Sequence, residues 1–470
     1  MGEAGRYDLV VIGAGPGGYV AAVRAAQLGM RVACVEAAER LGGVCLRVGC
    51  IPSKALLDSS EHFAFARGRL GEHGVRVEKV ELDLEAMMAR KERVVRELSD
   101  AVADLLRRNG VEVVRGTARL RSASAVEVAP PEGGEGAVLE TAAVLLATGS
   151  EPAGLPGLPW DGERIVTSTE ALAFEQVPEH LGIVGGGYIG LELGAVWARL
   201  GARVTVIEAL PRVAATLDGQ IGRYLERSLK RQGIELRPRT RVLEASVSEG
   251  AVRAVLQTEG ADAREVLECD RLLVAVGRRP LTRGLGLEAA GVRPDPRTGR
   301  IPVDARYRTA VPGICAVGDL VDGPMLAHKA SAEGVAAVEC LAGLPGEVNY
   351  DALPAVVYTA PEVASVGWTE EQVKARGVPY AVGVYPFAGV GRARCAGETE
   401  GMVKVLAHAR TDRILGVHIV GPRASDLIAE AALAVELGAS AEDLARTVHG
   451  HPTFAEALME AAAAVRPKGP

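Results

Sequence analysis

Seven cysteines are scattered through 470 residues, yet two of them fall within the single stretch GGVCLRVGCIP. Cys45 and Cys50 have four residues between them. Thiols this close can form a redox disulfide, hold a metal, or sit side by side as unconnected buried groups. Zinc is disfavoured: a structural site needs four ligands, the nearest histidine is His62, and no further cysteine pair exists. The expectation is no metal. A permanent structural bridge is disfavoured in a reducing compartment. A redox pair and two unconnected buried thiols both remain open at this point.

A disulfide across five positions constrains the elements that carry it. Its Cα atoms must come within ~6.8 Å. A regular helix advances about 1.5 Å and about 100° per residue, so residues five apart diverge. The segment must therefore break between the cysteines. Gly49 supplies backbone freedom there. Pro52 suits the first turn of a following helix, PSKALLDSSEHFAFARG. The thiols then lie near a helix N-terminus, which favours thiolate. Lys54 adds a positive charge nearby, or is a plain surface lysine.

Thiol chemistry also needs a proton acceptor. The segment HGHPTFAEALME offers His449, His451 and Glu456. A carboxylate that orients an imidazole raises its basicity and fixes its tautomer. A solvated, uninvolved histidine is the competing reading for either ring.

The larger frame is a repeat. YDLVVIGAGPGGYVAAVRAAQLGMRVACVE and HLGIVGGGYIGLELGAVWARLGARVTVIE each give a strand, a Gly-x-Gly-x-x-Gly turn, a helix, a second strand and a terminal glutamate. Gly13 and Glu36 are 23 positions apart, as are Gly185 and Glu208. This is the dinucleotide-binding fingerprint, twice. Gly13 and Gly185 allow the tight turn, Gly15 and Gly187 let a pyrophosphate approach, and Gly18 and Gly190 let helix and strand pack. The pyrophosphate sits on the helix N-terminus. Glu36 and Glu208 can accept hydrogen bonds from a ribose. A carboxylate at 208 suits a 2′-hydroxyl and repels a 2′-phosphate. The following ALPR holds one arginine, Arg212, and no basic cluster, so the second site reads as NAD.

Two apolar runs, AAVLLATGS (142–150) and RLLVAVGRRP (271–280), read as strands that close the two sheets. A third, GICAVGDL (313–320), resembles them and ends in Asp319. VAPPEGGEGAV (128–138) reads as a hairpin loop or a disordered tip. From about Val348 the texture changes to antiparallel strands followed by helices. The fold class is α/β: two Rossmann-like dinucleotide-binding domains and a C-terminal α+β domain. The expected boundaries are 1–150, 151–275, 276–347 and 348–470, with the third segment completing the first site.

Composition is that of an ordinary globular protein, 48% hydrophobic and 24% charged. The net charge of −7 is spread among mixed signs, without a basic or aromatic-interleaved patch. Nucleic acid is not an expected partner. The odd cysteine count argues against a secreted disulfide scaffold. MGEAGRYDLVVIGAGPGG lacks the pattern of a signal peptide, a membrane span or a lipidation site. The expectation is a cytoplasmic protein without membrane attachment.

Taken in order, VVIGAGPGGYVAA, GGVCLRVGCIPSKALL, LLATGS, IVGGGYIGLELG, VAVGRRP, CAVGDL, MLAHKASAEG, YTAPEVASVGWTEEQ and HPTFAEA resemble, over essentially the whole chain, the FAD-type pyridine nucleotide–disulfide oxidoreductases. MLAHKASAEG and CIPSKALL are most similar to the branch that oxidises dihydrolipoyl groups. The resemblance implies that Cys45 exchanges with substrate and that Cys50 lies against the flavin. It implies FAD contacts at Gly13, Gly15, Gly18, Glu36 and Gly43, and at Lys54, Gly116, Thr148, Asp319 and Ala327. It implies NAD contacts at Gly185, Gly187, Gly190, Glu208, Ala275 and Gly277. It makes His451, oriented by Glu456, the acid/base, acting on the disulfide of the other subunit of a homodimer built by residues 348–470. The His451–Pro452 step resembles one that is cis in the family. Lipoyl domains of 2-oxoacid dehydrogenase complexes or of the glycine cleavage system are the implied partners. Another disulfide substrate, or a non-catalytic flavoprotein subunit, are the alternative readings. Where the family usually has GGTCLN, this chain has Val44 and Arg47, losing a hydroxyl and gaining a charge between the cysteines.

Overall fold

A computed structural model describes residues 6–465. The opening residues Met1–Gly5, read above for targeting signals, lie outside it. The chain divides into two compact units. One comprises residues up to Ala55, Ala86–Ala153 and Gly277–Val348. The other comprises Leu56–Glu85, Gly154–Val276 and the chain from Asn349 onward.

The first unit is built on a parallel sheet. Tyr7–Ile12 lies between Val32–Glu36 and Ala137–Leu146, with Glu112–Arg115 outside Val32–Glu36. Leu9, Val11, Cys34 and Leu145 fill one face, and Val10, Ile12, Val35 and Leu146 the other. Burial on both faces explains why these strands are apolar throughout instead of alternating. Strand Ala137–Leu146 changes partner along its length. Its first half pairs antiparallel with Ala125–Ala129, across the hairpin tip expected at 128–138. Its second half pairs parallel with Tyr7–Ile12 on one side and Ile314–Ala316 on the other. Helix Pro16–Gln27 crosses helix Ala327–Leu341 closely: a Cβ on Gly334 would lie 2.4 Å from the Gly17 carbonyl oxygen.

The second unit holds a second parallel sheet, ordered Glu235–Arg237, Arg203–Ile207, His180–Val184, Arg271–Val274, Ile165–Val166. A three-stranded antiparallel meander spans Thr240 to Cys269. The C-terminal part is a five-stranded antiparallel sheet covered by helices Ala424–Glu436, Ala441–Arg446 and Glu456–Ala463. Among the described residues, no helix is long and apolar enough to cross a membrane.

The two closing runs are not single strands. The first ends at Leu146 and the second at Val274. Each then turns, at Gly149 (φ +73°) and at Gly277 (φ +130°). The chain resumes as Ser150–Pro152 and Arg278–Pro280, which pair antiparallel with each other. An apolar run followed by Gly reads as one strand in sequence, whereas positive φ at the glycine redirects the backbone.

Candidate active site

The helix carrying Cys45 stops at Val48 and a new one begins at Cys50. Gly49 sits at the break, with φ −141° and ψ −115°. Glycine is required there for space: a Cβ would lie 2.8 Å from the Val44 carbonyl oxygen and 3.2 Å from Cys45 Cα. The two cysteines are free thiols in this structure, Cys45 partly buried and Cys50 exposed. They are hydrogen-bonded to each other. That bond, then burial, then charge on Cys50 push the Cys45 thiol well above the usual range, while Lys54 pulls it down. Cys50 occupies the first position of a 19-residue helix, where the N-terminus favours thiolate. Arg47 is half-buried between them, and its Nε has no hydrogen-bond partner among the described residues.

In the first fingerprint, Gly13 has φ +102°, and a Cβ would lie 2.5 Å from the Ala147 carbonyl oxygen. A Cβ on Gly18 would meet the Gly13 oxygen at 1.8 Å, so only glycine lets the helix start this close to the strand. Gly15 and Gly43 face each other backbone to backbone. Gly15 is the N-cap of helix Pro16–Gln27 and no side chain caps it, leaving N–H groups for an anion. Glu36 is buried and clipped at both oxygens, accepting from Ala14 N and Ala38 N, each at 2.9 Å. Its free lone pairs can still take a ribose hydroxyl. Gly116 N donates to the Glu36 carbonyl at 3.0 Å, and the Thr148 hydroxyl to the Leu281 carbonyl at 2.7 Å.

The second fingerprint repeats this geometry. Gly185 has φ +107°, with the carbonyl of Ala275 against it, and Gly190 abuts the Gly185 carbonyl. A Cβ at Gly187 would meet nothing within 4 Å, so the backbone lies open to a ligand. Glu208 accepts from Gly186 N and Leu210 N, each at 2.7 Å. Arg212 donates to the carbonyls of Ala215 and Leu217, at 3.0 and 2.8 Å. The one cation that follows Glu208 is thus engaged in folding its own loop. Both glycine cradles fit a dinucleotide, and the second fits one with a free 2′-hydroxyl.

His451 and Glu456 belong to the second unit. His451 Nδ1 lies 2.8 Å from Glu456 Oε1, and Thr453 N donates to Oε2 at 2.9 Å. A carboxylate only accepts here, so Nδ1 carries a proton, and in the neutral ring the lone pair falls on Nε2. The His451 bond first, and the Thr453 amide second, hold the Glu456 carboxyl below its usual range. The His451 ring is 79% exposed, so its basic nitrogen faces outward. His451–Pro452 is cis, as is Ala360–Pro361. His449 is engaged separately, by Glu430 at 2.8 Å and the Thr447 carbonyl at 2.7 Å.

Two groups escaped the sequence reading. Arg278 donates through Nε to the Ser150 hydroxyl at 2.7 Å, and that hydroxyl donates to Asp319. A polar chain therefore runs from GRRP through TGS to GDL, three motifs that look independent in sequence. Lys329 and Glu333 form a fully buried ion pair that grips both sides of Gly318: Lys329 Nζ donates to its carbonyl, and Glu333 accepts from its N–H. The i, i+4 spacing in AHKASAEG was the available signal. Ala327 begins that helix.

Comparison with known proteins gives the same outline. The model of the pyridine nucleotide-disulphide oxidoreductase family matches residues 7–334, and that of its dimerisation domain residues 353–462. The chain is 51% identical to dihydrolipoyl dehydrogenase 3 of Pseudomonas aeruginosa, covering 97% of each. It is 47% identical to the mitochondrial dihydrolipoyl dehydrogenase of Homo sapiens, covering 97% of this chain and 89% of that one. Among solved structures, LpdA from Mycobacterium tuberculosis superimposes with a TM-score of 0.90 at 28% identity, covering 97% and 99% of the two chains.

Proposed function

The chain belongs to the pyridine nucleotide-disulphide oxidoreductase family, and from that premise we propose that it oxidises dihydrolipoyl groups with NAD⁺ through a Cys45–Cys50 disulfide. The observation that carries this reading is the hydrogen-bonded thiol pair across the helix break at Gly49. The near-full-length likeness to dihydrolipoyl dehydrogenases selects the substrate.

In the oxidised enzyme the two cysteines share a disulfide. A substrate thiolate attacks Cys45 Sγ. The bond to Cys50 breaks and its electron pair leaves on Cys50 Sγ, at the N-terminus of helix Cys50–Gly68, where thiolate is stabilised. The second substrate thiolate then displaces Cys45, closing the substrate disulfide and returning Cys45 as thiol or thiolate. Two electrons have moved from substrate dithiol to enzyme dithiol. His451 Nε2 takes the substrate proton, and Glu456 holds the ring in the tautomer that can accept it. Bound FAD supplies the acceptor for the enzyme's two electrons, and bound NAD⁺ the final hydride acceptor.

In this reading residues 1–150 and 276–347 hold FAD and residues 151–275 hold NAD. Residues 348–470 form the homodimer interface and present His451 to the partner's disulfide. Leu433, Leu437 and Val448, at 59%, 74% and 95% exposure, are large apolar side chains suited to burial in that interface. Lipoyl domains of 2-oxoacid dehydrogenase complexes or of the glycine cleavage system are the macromolecular partners, in the cytoplasm.

Turnover with dihydrolipoamide and NAD⁺, set against reduction of glutathione disulfide and of mercuric ion with NADH and NADPH, tests the assignment. Dihydrolipoamide with NAD⁺ is expected to dominate. Faster glutathione disulfide reduction would overturn it.

A further inference from the structure

Lys404 occupies the middle of strand Met402–His408 in the C-terminal sheet, and 1% of its side chain is exposed. A lysine is almost never buried unless paired. Its Nζ donates to both oxygens of Asp218, at 3.0 and 2.9 Å, and to Glu370 Oε2 at 2.6 Å. Asp218 is equally buried. It caps helix Gly219–Arg231 by accepting from Gln220 N at 3.0 Å, and its other oxygen accepts from Glu370 N at 3.1 Å. Glu371 accepts from Gly219 N at 3.1 Å. Two side chains of the C-terminal region, Lys404 and Glu371, and the Glu370 amide therefore converge on the start of one helix.

The segment leading into that helix, residues 209–217, lies on the second glycine fingerprint. Ala214 N donates to the Gly186 carbonyl at 2.7 Å. A Cβ on Gly186 would strike Val213 at 2.6 Å. Tyr188, which opens the fingerprint helix, bonds Thr216 at 3.0 Å. Ala214 has φ +43°, an unfavourable conformation for a residue with a Cβ, which persists only when its surroundings impose it. At its N-terminal end the segment follows Glu208, and at its C-terminal end it is fixed at Asp218.

We propose that Lys404 is a positioning residue for the nicotinamide nucleotide: by anchoring Asp218, the C-terminal sheet holds residues 209–217 against Gly186 and so sets the shape of the NAD cradle. Simple stabilisation does not account for the pair. A buried ion pair is often no more stable than an apolar replacement, and its best-attested use is to fix register. Here the fixed object is the end of a strained loop that meets the nucleotide fingerprint through Ala214, Val213 and Thr216, and is otherwise held by Glu226 and Arg239. The inference rests on reading Gly185–Glu208 as the NAD site.

The test uses the FAD-loaded enzyme. NADH affinity is measured by fluorescence titration of the enzyme fully reduced beforehand with dithionite, which can accept no hydride, and flavin reduction by dihydrolipoamide is followed separately by rapid mixing of the oxidised enzyme. Lys404→Met is expected to raise the Kd for NADH by between about ten- and a hundredfold, as for a misplaced binding group. Flavin reduction by dihydrolipoamide stays within about twofold. Unchanged NADH affinity, or equal losses in both measurements, overturns the proposal. If Lys404→Met does not fold, Lys404→Met with Asp218→Asn removes both charges and keeps the helix cap. The same two outcomes then decide. The unmutated holoenzyme gives an independent reading: the Ala214 and Leu217 amides should resist hydrogen exchange as strongly as those of strand Met402–His408. Exchange faster by several decades overturns the anchoring role. Failure of the parent enzyme to bind NADH at all would instead strike at the NAD reading itself.

Discussion

Cys45 and Cys50 are hydrogen-bonded to each other although they belong to different helices. The two sulfurs differ in setting: the bond and burial raise the Cys45 thiol, while Cys50 is exposed at a helix N-terminus, which favours thiolate. Cys50→Ser should therefore abolish the long-wavelength absorbance that a thiolate gives beside bound flavin after two-electron reduction, while FAD stays bound. Dithiol turnover should fall by about a thousandfold or more. Cys45→Ser should keep that absorbance and lose turnover alike. Persistence of the band in Cys50→Ser would reverse the two roles.

Gly49 makes the same pair sensitive to a single methyl group. In Gly49→Ala the new Cβ would press on the Val44 carbonyl and on Cys45 Cα. Backbone on both sides cannot yield as a flexible side chain would. The substitution should cost about 1–3 kcal/mol of stability. It should also slow flavin reduction by dithiol more than flavin reduction by NADH, because the displaced atom belongs to Cys45. Equal slowing of both half-reactions would show that the strain is spread through the unit instead.

What could be read from the sequence was local or periodic. The interval from Gly13 to Glu36, repeated from Gly185 to Glu208, specifies a strand, a turn and a helix whose geometry neighbouring residues impose. The need for a break between the cysteines followed from helix dimensions alone. Its cause differs in kind: Gly49 is there for close approach to Val44, more than for freedom. The carboxylate clips at Glu36 and Glu208 depend on how the strand ends bend, which no spacing encodes. The Arg278–Ser150–Asp319 chain and the Lys404–Asp218 pair join residues 128 to 186 positions apart. Only the tertiary fold brings such residues together.

The clipped carboxylate of Glu208 makes nucleotide choice testable. Held by two backbone amides, it cannot swing away from a 2′-phosphate, and Arg212 is committed to its own loop. NAD⁺ should exceed NADP⁺ in kcat/KM by about a hundredfold or more. Glu208→Gln keeps an acceptor and removes the charge. It should narrow that ratio by about tenfold, chiefly by improving NADP⁺. A ratio unmoved by the substitution would mean that shape, not charge, excludes the phosphate.

Glu370 links the Lys404 cluster to acid stability. Burial pushes its carboxyl up, but hydrogen bonds from Lys374, Lys404 and Tyr380 outweigh it and hold the pKa at about 2, below its ordinary 4.5. A carboxyl depressed in the folded state stabilises fully above the unfolded value. That contribution is lost as pH falls from about 4.5 to about 2, where the unfolded chain binds the proton first. Glu370→Gln should flatten the dependence of stability on pH in that window by up to about 1.4 kcal/mol per pH unit. Urea midpoints at successive pH values measure it, and a slope equal to the parent's would remove Glu370 from the account.

His451 raises the question of which disulfide it serves. Its ring is 79% exposed, in the same unit as the exposed apolar side chains of Leu433, Leu437 and Val448. An exposed base cannot by itself exclude water from a thiol exchange, and the proposed trans site would supply that exclusion from the second subunit. His451→Gln alone should lower dithiol turnover by about a hundredfold to ten-thousandfold, and Cys45→Ser alone should abolish it. If each site combines the cysteines of one subunit with the histidine of the other, a mixed dimer of these two variants contains one intact site and one doubly defective one. Random re-association makes half of all dimers mixed, so about a quarter of parental activity should return. If the histidine instead served its own chain's cysteines, every site in every dimer would carry one lesion. Subunit exchange, verified by mass spectrometry of differently tagged chains, would then restore nothing above the His451→Gln background.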